Sequence, residues 1–405
     1  MTDGFGGTTT SRRRGSGVLD VAVVGGGMVG AAAALALARA GFSVALVDAR
    51  EPASWAAADE VDLRVVGLAP SSIVLLDELG VWNAIRTARA SAYDRMVVWD
   101  AENGATIRFD AADEGRDVLG YIVENGLVQA TLWHALDDAG VRRIVPGEVV
   151  AYAMREDRAQ LDLADGQVVS ARLVVAADGA ASPLREMVGI GTHGRDYAQR
   201  AVVAHVSTAR PHERTAWQRF LPSGPLAFLP LDDGRSSIVW SLPDAEAKRM
   251  LALDDDAFRD VLGVASDFRL GPILSVSRRA AFPLRLKLAD RYEVGRLVLL
   301  GDAAHAVHPL AGQGVNLGLR DVAELRATLV DARASGRDFA ATHVLRRYAR
   351  RRRSADGLDA WSFDALARVY GWRASPLVAA RGAGVRLLDA LGPLKRRLAR
   401  HAAGL

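Results

Sequence analysis

The 405 residues include no cysteine, which excludes disulfides, thiolate metal ligands and cysteine nucleophiles and agrees with a reducing compartment. Any redox chemistry therefore has to come from a bound cofactor. Lysine is nearly absent as well: only Lys248, Lys287 and Lys395 occur, and arginine carries the positive charge. Lys and Arg together number 51 against 48 Asp and Glu, a formal net charge of +3. That balance lacks the concentrated basic excess of a nucleic-acid-binding surface. Long apolar runs are also scarce. Val21 to Ala38 is uncharged over a length that would nominally cross a membrane. Gly25-Gly26-Gly27 nevertheless divides it into a β-branched half and an Ala/Leu half, the pattern of a buried strand, a tight turn and a buried helix. The expectation is a cytoplasmic protein, or one peripheral at the inner face of the membrane. Residues 1–17, with Arg12-Arg13-Arg14 and no apolar segment, read as a flexible leader.

The chain does hold a set of glycine-rich turns. Asp20-Val-Ala-Val-Val-Gly25-Gly-Gly27-Met-Val-Gly30 runs into an Ala/Leu helix, and a second strand follows, Ser43-Val-Ala-Leu-Val-Asp48. In this pattern Gly25 permits the tight turn, Gly27 lets a pyrophosphate approach the backbone, and Gly30 allows close helix–strand contact. The helix start offers free N–H groups and a positive dipole end to phosphate, and Asp48 is placed to accept ribose hydroxyls. This unit suits FAD and NAD equally.

Two later segments decide between them. Leu173-Val-Val-Ala-Ala-Asp178-Gly179-Ala-Ala-Ser182-Pro-Leu-Arg185 is a buried strand ending in Asp-Gly. Arg296 to Asp321 contains a second such strand, then Gly301-Asp302-Ala-Ala-His305-Ala-Val-His308-Pro309, Gly312-Gln313-Gly314 and Asn316. With Asp62-Leu-Arg64 and Arg235-Ser-Ser-Ile-Val-Trp240-Ser-Leu-Pro243, these segments resemble the class A flavoprotein monooxygenases of the para-hydroxybenzoate hydroxylase fold. Within them the chain is most similar to the hydroxylases of ubiquinone biosynthesis, the UbiH/UbiF type, from about residue 18 to about residue 360.

The resemblance implies an α/β fold: a Rossmann-like FAD-binding domain, an inserted β-sheet substrate domain and a C-terminal helical region. Asp302 would hold the ribityl or ribose side of FAD. Gly312, Gln313, Gly314 and Asn316 would present backbone N–H groups to the flavin pyrimidine, with Pro309 a further cofactor-binding residue. Asp178-Gly179 would sit at the pyrophosphate on the NAD(P)H side, and Arg64 and Gln129 at the phosphate and ribityl regions. Independently of the resemblance, a helix starting near Val315 would point its positive end where a reduced flavin carries negative charge.

Several residues admit plainer readings. His305 and His308 are three apart, but no acidic or histidine partner stands at helical spacing around them, so no metal site is expected. His305 remains a candidate for substrate or flavin contact. Arg346-Arg347 and Arg350 to Arg353 read as a solvated helix face rather than a phosphate or nucleic-acid site. Trp240 and Phe282 are core residues by default and substrate-cavity residues by the resemblance. From Ser375 to Leu405, Val385, Leu388, Leu391, Leu394 and Leu398 recur at helical spacing among Arg386, Lys395, Arg396, Arg397 and Arg400. That suits a basic amphipathic helix on an anionic membrane, on a partner or on the body of the protein, divided at Pro393.

The expected organisation places the FAD-binding domain at 18–92, 119–192 and 283–345, the substrate sheet at 93–118 and 193–282, and the helical region at 346–405, with a helix from about Ser71 to Leu79. The implied activity is hydroxylation of a prenylated phenol in ubiquinone biosynthesis, with NAD(P)H as a transient co-substrate and O2 activated as a flavin C4a-hydroperoxide. The single complete dinucleotide fingerprint agrees with transient NAD(P)H. Other readings are an epoxidase, halogenase or polyprenyl reductase of the same fold, or a flavin-bearing scaffold of a biosynthetic complex. No halogenase-type Trp-x-Trp-x-Ile-Pro segment is present.

Overall fold

The computed structural model describes residues 17–306, 314–354, 370 and 375–404. Pro309, Gly312 and Gln313, together with His308 and the leader to residue 16, lie outside the described residues.

The run Val21 to Ala38 divides at its glycines. Leu19–Val24 is a strand, Met28–Arg39 a helix, and no described helix is long and apolar enough to cross a membrane. Val21, Ala22 and Val23 are 0% exposed because both faces of this strand are covered, as in a parallel layer flanked by helices. Leu19–Val24 pairs in parallel with Val44–Val47 on one side and with Val168–Ala176 on the other, and Val168–Ala176 in turn pairs in parallel with Leu297–Leu299. The three strands that end in glycine-rich or Asp-Gly turns are thus neighbours. Their carboxyl ends open on one edge of the sheet, where doubly wound folds bind ligands.

A nine-stranded, mostly antiparallel sheet forms the second layer. The apolar, β-like runs 201–206, 226–231 and 237–242 expected as strands fall on Thr192–Thr208, Gly224–Pro230 and Ser236–Pro243, the second ending one residue short, joined by Arg95–Asp100 and Thr106–Asp110. Four of its strands fall outside those runs: Thr215–Leu221, Ile273–Val276, His305–Ala306 and, the longest of them, Ala280–Ala289. This last strand pairs with Thr192–Thr208 as far as Thr192 opposite Ala289, so the sheet continues past the boundary expected after Phe282. Arg285 and Lys287 interrupt its apolar pattern, and the partner stretch from Thr192 to Gln199 is polar and mostly exposed, so no apolar run marks the pairing.

Alternation of side chains gives this sheet two different faces. Val202, Ala204, Ile238, Trp240 and Leu242 pack against Met250, Phe258 and Leu262 of the helices Asp244–Ala252 and Asp255–Ala265. The opposite face places Ala216, Ala227, Leu229 and Val239 against Ile122, Val65 and Tyr93. Those three belong to a small sheet of Val65–Leu68, Ala90–Tyr93 and Gly120–Glu124, which links the layers. The helix expected over Ser71 to Leu79 is Pro70–Glu78.

The C-terminal segment forms two helices, Ser375–Ala390 and Gly392–Ala403, with Pro393 in the first turn of the second, where its missing N–H is tolerated. The first docks on the protein itself. Arg381 is buried between Asp100 at 2.6 Å and Glu102 at 2.9 Å, and Val378 accepts a bond from Asn103. Val385 and Leu388 join a small core with Val98, Ile107 and Phe220. Leu377, Leu387, Leu391 and Leu394 remain exposed.

Candidate FAD and substrate site

The first glycine turn is a packing solution before it is a binding site. Gly25 has φ +103°, and a Cβ there would lie 2.2 Å from the Ala177 carbonyl oxygen. A Cβ on Gly30 would lie 1.9 Å from the Gly25 carbonyl oxygen. Gly27 differs: no atom lies within 4 Å of a Cβ built there, so space opens directly in front of the helix start. That helix has no side-chain N-cap, leaving its first N–H groups for another acceptor.

Three side chains brace the turn. Asp48 accepts from the Gly26 amide at 2.5 Å, and the Gly26 carbonyl accepts from both Gln129 Nε2 and Trp133 Nε1 at 2.7 Å. Gln129, expected with Arg64 at the phosphate and ribityl regions of the cofactor, uses an amide hydrogen to hold the glycine turn. Trp133 carries no motif signal and was not singled out in the sequence.

The Asp-Gly turn follows the next strand. Asp178 accepts from Ser182 Oγ at 2.5 Å and from the Leu184 amide at 3.1 Å, capping the short helix Pro183–Met187. Burial, only partly offset by these bonds, raises its carboxyl above the ordinary value. Gly179 has φ +86° and open space at its Cβ position. Arg185, 2% exposed, bonds to the carbonyls of Ala180 at 2.9 Å and Ala303 at 2.8 Å. This buried guanidinium fastens the Asp-Gly turn to the Gly301–Asp302 turn, a function invisible in the linear sequence.

The third turn starts at Gly301, φ +55°, and its Cβ position meets Val29 of the fingerprint helix at 3.2 Å. Gly318, on the helix Gly314–Ala334, meets the same valine at 2.5 Å. The first and third turns therefore touch. Asp302 is open to solvent at the cleft, yet the protein mass around it raises its carboxyl, against a lowering by His305. Gly314 starts its helix with open space in front of it, and Asn316 bonds to the Gly67 carbonyl, the Ala69 amide and Ser72 Oγ.

His305, a candidate contact, is 1% exposed and donates from Nε2 to Asp321 Oδ2 at 2.6 Å. Its place is behind the turn, and its acidic partner stands sixteen residues on, beyond the helical spacings searched in the sequence. No cluster able to hold a metal occurs among the described residues. The arginine run is largely self-neutralised: Arg346 pairs with Glu293, Arg347 with Asp331, Arg351 with Glu324 and Arg352 with Asp321. Arg352 is the exception to a solvated face, being buried.

Arg64 is exposed on a loop whose backbone is held from two sides. The Asp62 amide donates to Glu124 at 2.6 Å, and its carbonyl accepts from His205 Nε2 at 3.1 Å. Trp240 and Phe282 separate by strand parity. Trp240 packs under the outer helices at 5% exposure, so the core reading holds for it. Phe282 pairs with Ala201, and Ala201 with Ser241, on the face opposite Trp240, where it is 40% exposed.

Open space at Gly27, Gly179 and Gly314, uncapped helix N–H groups and an exposed arginine fit a long, phosphate-bearing cofactor such as FAD. Comparison with known proteins agrees. The family described as "FAD binding domain" matches residues 18–356. The 3-demethoxyubiquinol 3-hydroxylase of Escherichia coli (strain K12) is 39% identical over 387 residues, 95% of this chain and 98% of that protein. The mitochondrial ubiquinone biosynthesis monooxygenase COQ6 of Homo sapiens is 36% identical, over 97% of this chain and 95% of its own. Among solved structures, the p-nitrophenol 4-monooxygenase PnpA from Pseudomonas putida DLL-E4 superposes with a TM-score of 0.76 at 21% identity, covering 95% of this chain and 98% of that one, a likeness of fold. The chain belongs to this family of FAD-dependent monooxygenases.

Proposed function

We propose that the chain hydroxylates the aromatic ring of a prenylated phenol in ubiquinone biosynthesis, with FAD, NAD(P)H and O2. One observation carries this reading: the likeness to the E. coli hydroxylase runs over 95% of the chain at 39% identity, through the substrate-facing sheet as well as the glycine turns. Bound FAD supplies the reduction by NAD(P)H and the activation of O2. The protein supplies orientation, charge and exclusion of water.

In this reading Gly25, Gly27, Gly30 and Asp48 hold the adenosine-diphosphate end, and Gln129 acts through Gly26. Arg64 and Asp178-Gly179 flank the pyrophosphate. Gly301-Asp302, Gly314 and Asn316, with Pro309, Gly312 and Gln313, form the flavin end. Phe282 and the inner sheet face line the substrate side. The parallel layer is the cofactor domain and the nine-stranded sheet the substrate domain. Purified protein incubated with NAD(P)H, labelled O2 and a prenylphenol should place the label on the ring and oxidise NAD(P)H faster when the phenol is present. Label absent from the ring, or a rate indifferent to the phenol, sinks the proposal.

The C-terminal helices suit peripheral contact with an anionic bilayer, where such a phenol would reside. Leu377, Leu387, Leu391 and Leu394 are exposed beside Arg386, Arg396, Arg397 and Arg400. Sedimentation with vesicles containing anionic lipid should capture the wild type and lose Leu387→Gln/Leu391→Gln/Leu394→Gln. Equal sedimentation of both proteins would remove the membrane contact.

A further inference from the structure

Behind the third turn lies a cluster of buried charge that the cofactor reading does not use. Asp321 is 0% exposed, His305 1% and Arg352 7%. Asp321 Oδ2 accepts from the Gly301 amide at 2.9 Å and from His305 Nε2 at 2.6 Å, while Oδ1 accepts from Arg352 Nε at 2.5 Å. The three donors come from the turn itself, from the residue that leads into the 307–313 stretch, and from the helix over 342–354.

A carboxylate removed from water is costly unless it is paired and fully hydrogen-bonded, and an apolar side chain of similar volume is often no less stabilising. Keeping a charge in such a place is best explained by the geometry it fixes. Here that geometry is specific. One oxygen holds both ends of Gly301–His305, and Asp302, the exposed carboxylate of the cleft, lies between them. Asp321 also sits on the helix Gly314–Ala334, where no described residue lies within 4 Å of a Cβ built on Gly314. The His305–Asp321 bond therefore ties His305 to the helix Gly314–Ala334 that carries Asp321, and Arg352 locks the second oxygen.

We propose that Asp321, with His305 and Arg352, is a positioning residue for the flavin end of the cofactor: the clasp sets the separation between the Asp302 carboxylate and the helix start at Gly314. This rests on reading the Gly301–Asn316 segment as flavin-binding. The residue that touches cofactor is Asp302, and Asp321 acts through the Gly301 amide.

The test is FAD titration of the full-length apoprotein, read by flavin fluorescence and by the resolution of the visible flavin bands. His305→Leu removes the donor to Asp321, whereas His305→Gln keeps an N–H at a similar reach. Loss of the charge-assisted hydrogen bond between His305 and Asp321 is expected to weaken FAD binding about tenfold in His305→Leu and Asp321→Asn and to blur the flavin bands. His305→Gln should recover most of the affinity, and Arg350→Ala, an exposed arginine of the same helix, should bind as the wild type does. Wild-type affinity and spectrum in His305→Leu overturn the clasp, as does a His305→Gln protein no better than His305→Leu. Should Asp321→Asn not fold, the two His305 variants decide. A wild type that binds no FAD removes the cofactor reading itself, whereas a wild type that binds beside indifferent variants removes only the clasp.

Discussion

The glycine turn after Leu19–Val24 and the one after Leu297–Leu299 meet at a single valine, Val29, but they are braced by different means. The first is held by one carboxylate, one amide and one indole on the two sides of Gly26. The second is held from behind by a buried carboxylate that accepts from a histidine, an arginine and the Gly301 amide. The difference follows from steric freedom. The first turn is tight, and close contacts at Gly25 and Gly30 define it almost alone. At the second, a Cβ on Gly301 would stand 3.2 Å from Val29, a looser limit, and directional hydrogen bonds to Asp321 do the rest.

The largest expected effect comes from the steric side of the comparison. Gly25→Ala combines a left-handed backbone with a contact of 2.2 Å to the Ala177 carbonyl oxygen, and should cost about 3 kcal/mol or more. Gly27→Ala meets nothing within 4 Å, at an extended backbone that alanine adopts freely. It should leave the apoprotein melting temperature unchanged while weakening FAD binding, because the methyl group enters the pyrophosphate approach. Thermal unfolding of the two apoproteins, with FAD titration of Gly27→Ala, checks the pair. Equal stability of both would show that the turn is not sterically fixed.

Next in size is the contrast between the two braces. Arg352→Met leaves Asp321 buried with less of its charge compensated and should cost about 3–5 kcal/mol. Trp133→Phe removes one neutral donor from the Gly26 carbonyl, which keeps Gln129, and should cost about 1 kcal/mol. Chemical denaturation of both variants gives the ratio. A Trp133→Phe loss as large as that of Arg352→Met would erase the proposed difference between the turns. Acid should also strike the second brace. Burial alone would raise the Asp321 carboxyl, but His305, Arg352 and the Gly301 amide together hold it below its ordinary 3.8. Its contribution is therefore complete above about that pH and is lost as pH falls through the lower folded value.

What the linear sequence revealed divides along the same line. Gly25, Gly179 and Gly301 were legible because their left-handed backbone favours glycine, Gly30 because a Cβ has no room, and Gly27 through its place in the spacing. The braces were not. Trp133 and Arg185 belong to no spacing rule, Asp321 stands too far from His305 for a helical search, and Arg352 sat inside a run that reads as solvated surface. Trp240 and Phe282 looked equivalent until strand pairing assigned them to opposite faces. The continuation of the sheet from Phe282 to Ala289 was not legible, because Pro283, Arg285 and Lys287 interrupt the apolar run and pairing with Thr192–Thr208 leaves no mark on the linear sequence.

The smallest expected effect concerns the clasp between the layers, where His205 Nε2 donates to the Asp62 carbonyl at 3.1 Å and steadies the loop that carries Arg64. Burial, and then the charge of Arg235, lower the His205 pKa from its ordinary 6.5, outweighing the hydrogen bond to Asp62. The folded chain therefore takes up this proton at a lower pH than the unfolded chain. Between the two values the unfolded state binds more protons, so this contribution to stability is complete above about 6.5 and declines as pH falls toward the lower folded value. His205→Gln, which keeps a donor and does not titrate, should flatten that part of the pH–stability curve while leaving FAD affinity near the wild type at pH 8. If the slope below 6.5 is the same in both proteins, the loop at Arg64 is held by Glu124 alone, and the link between the two layers is not pH-dependent.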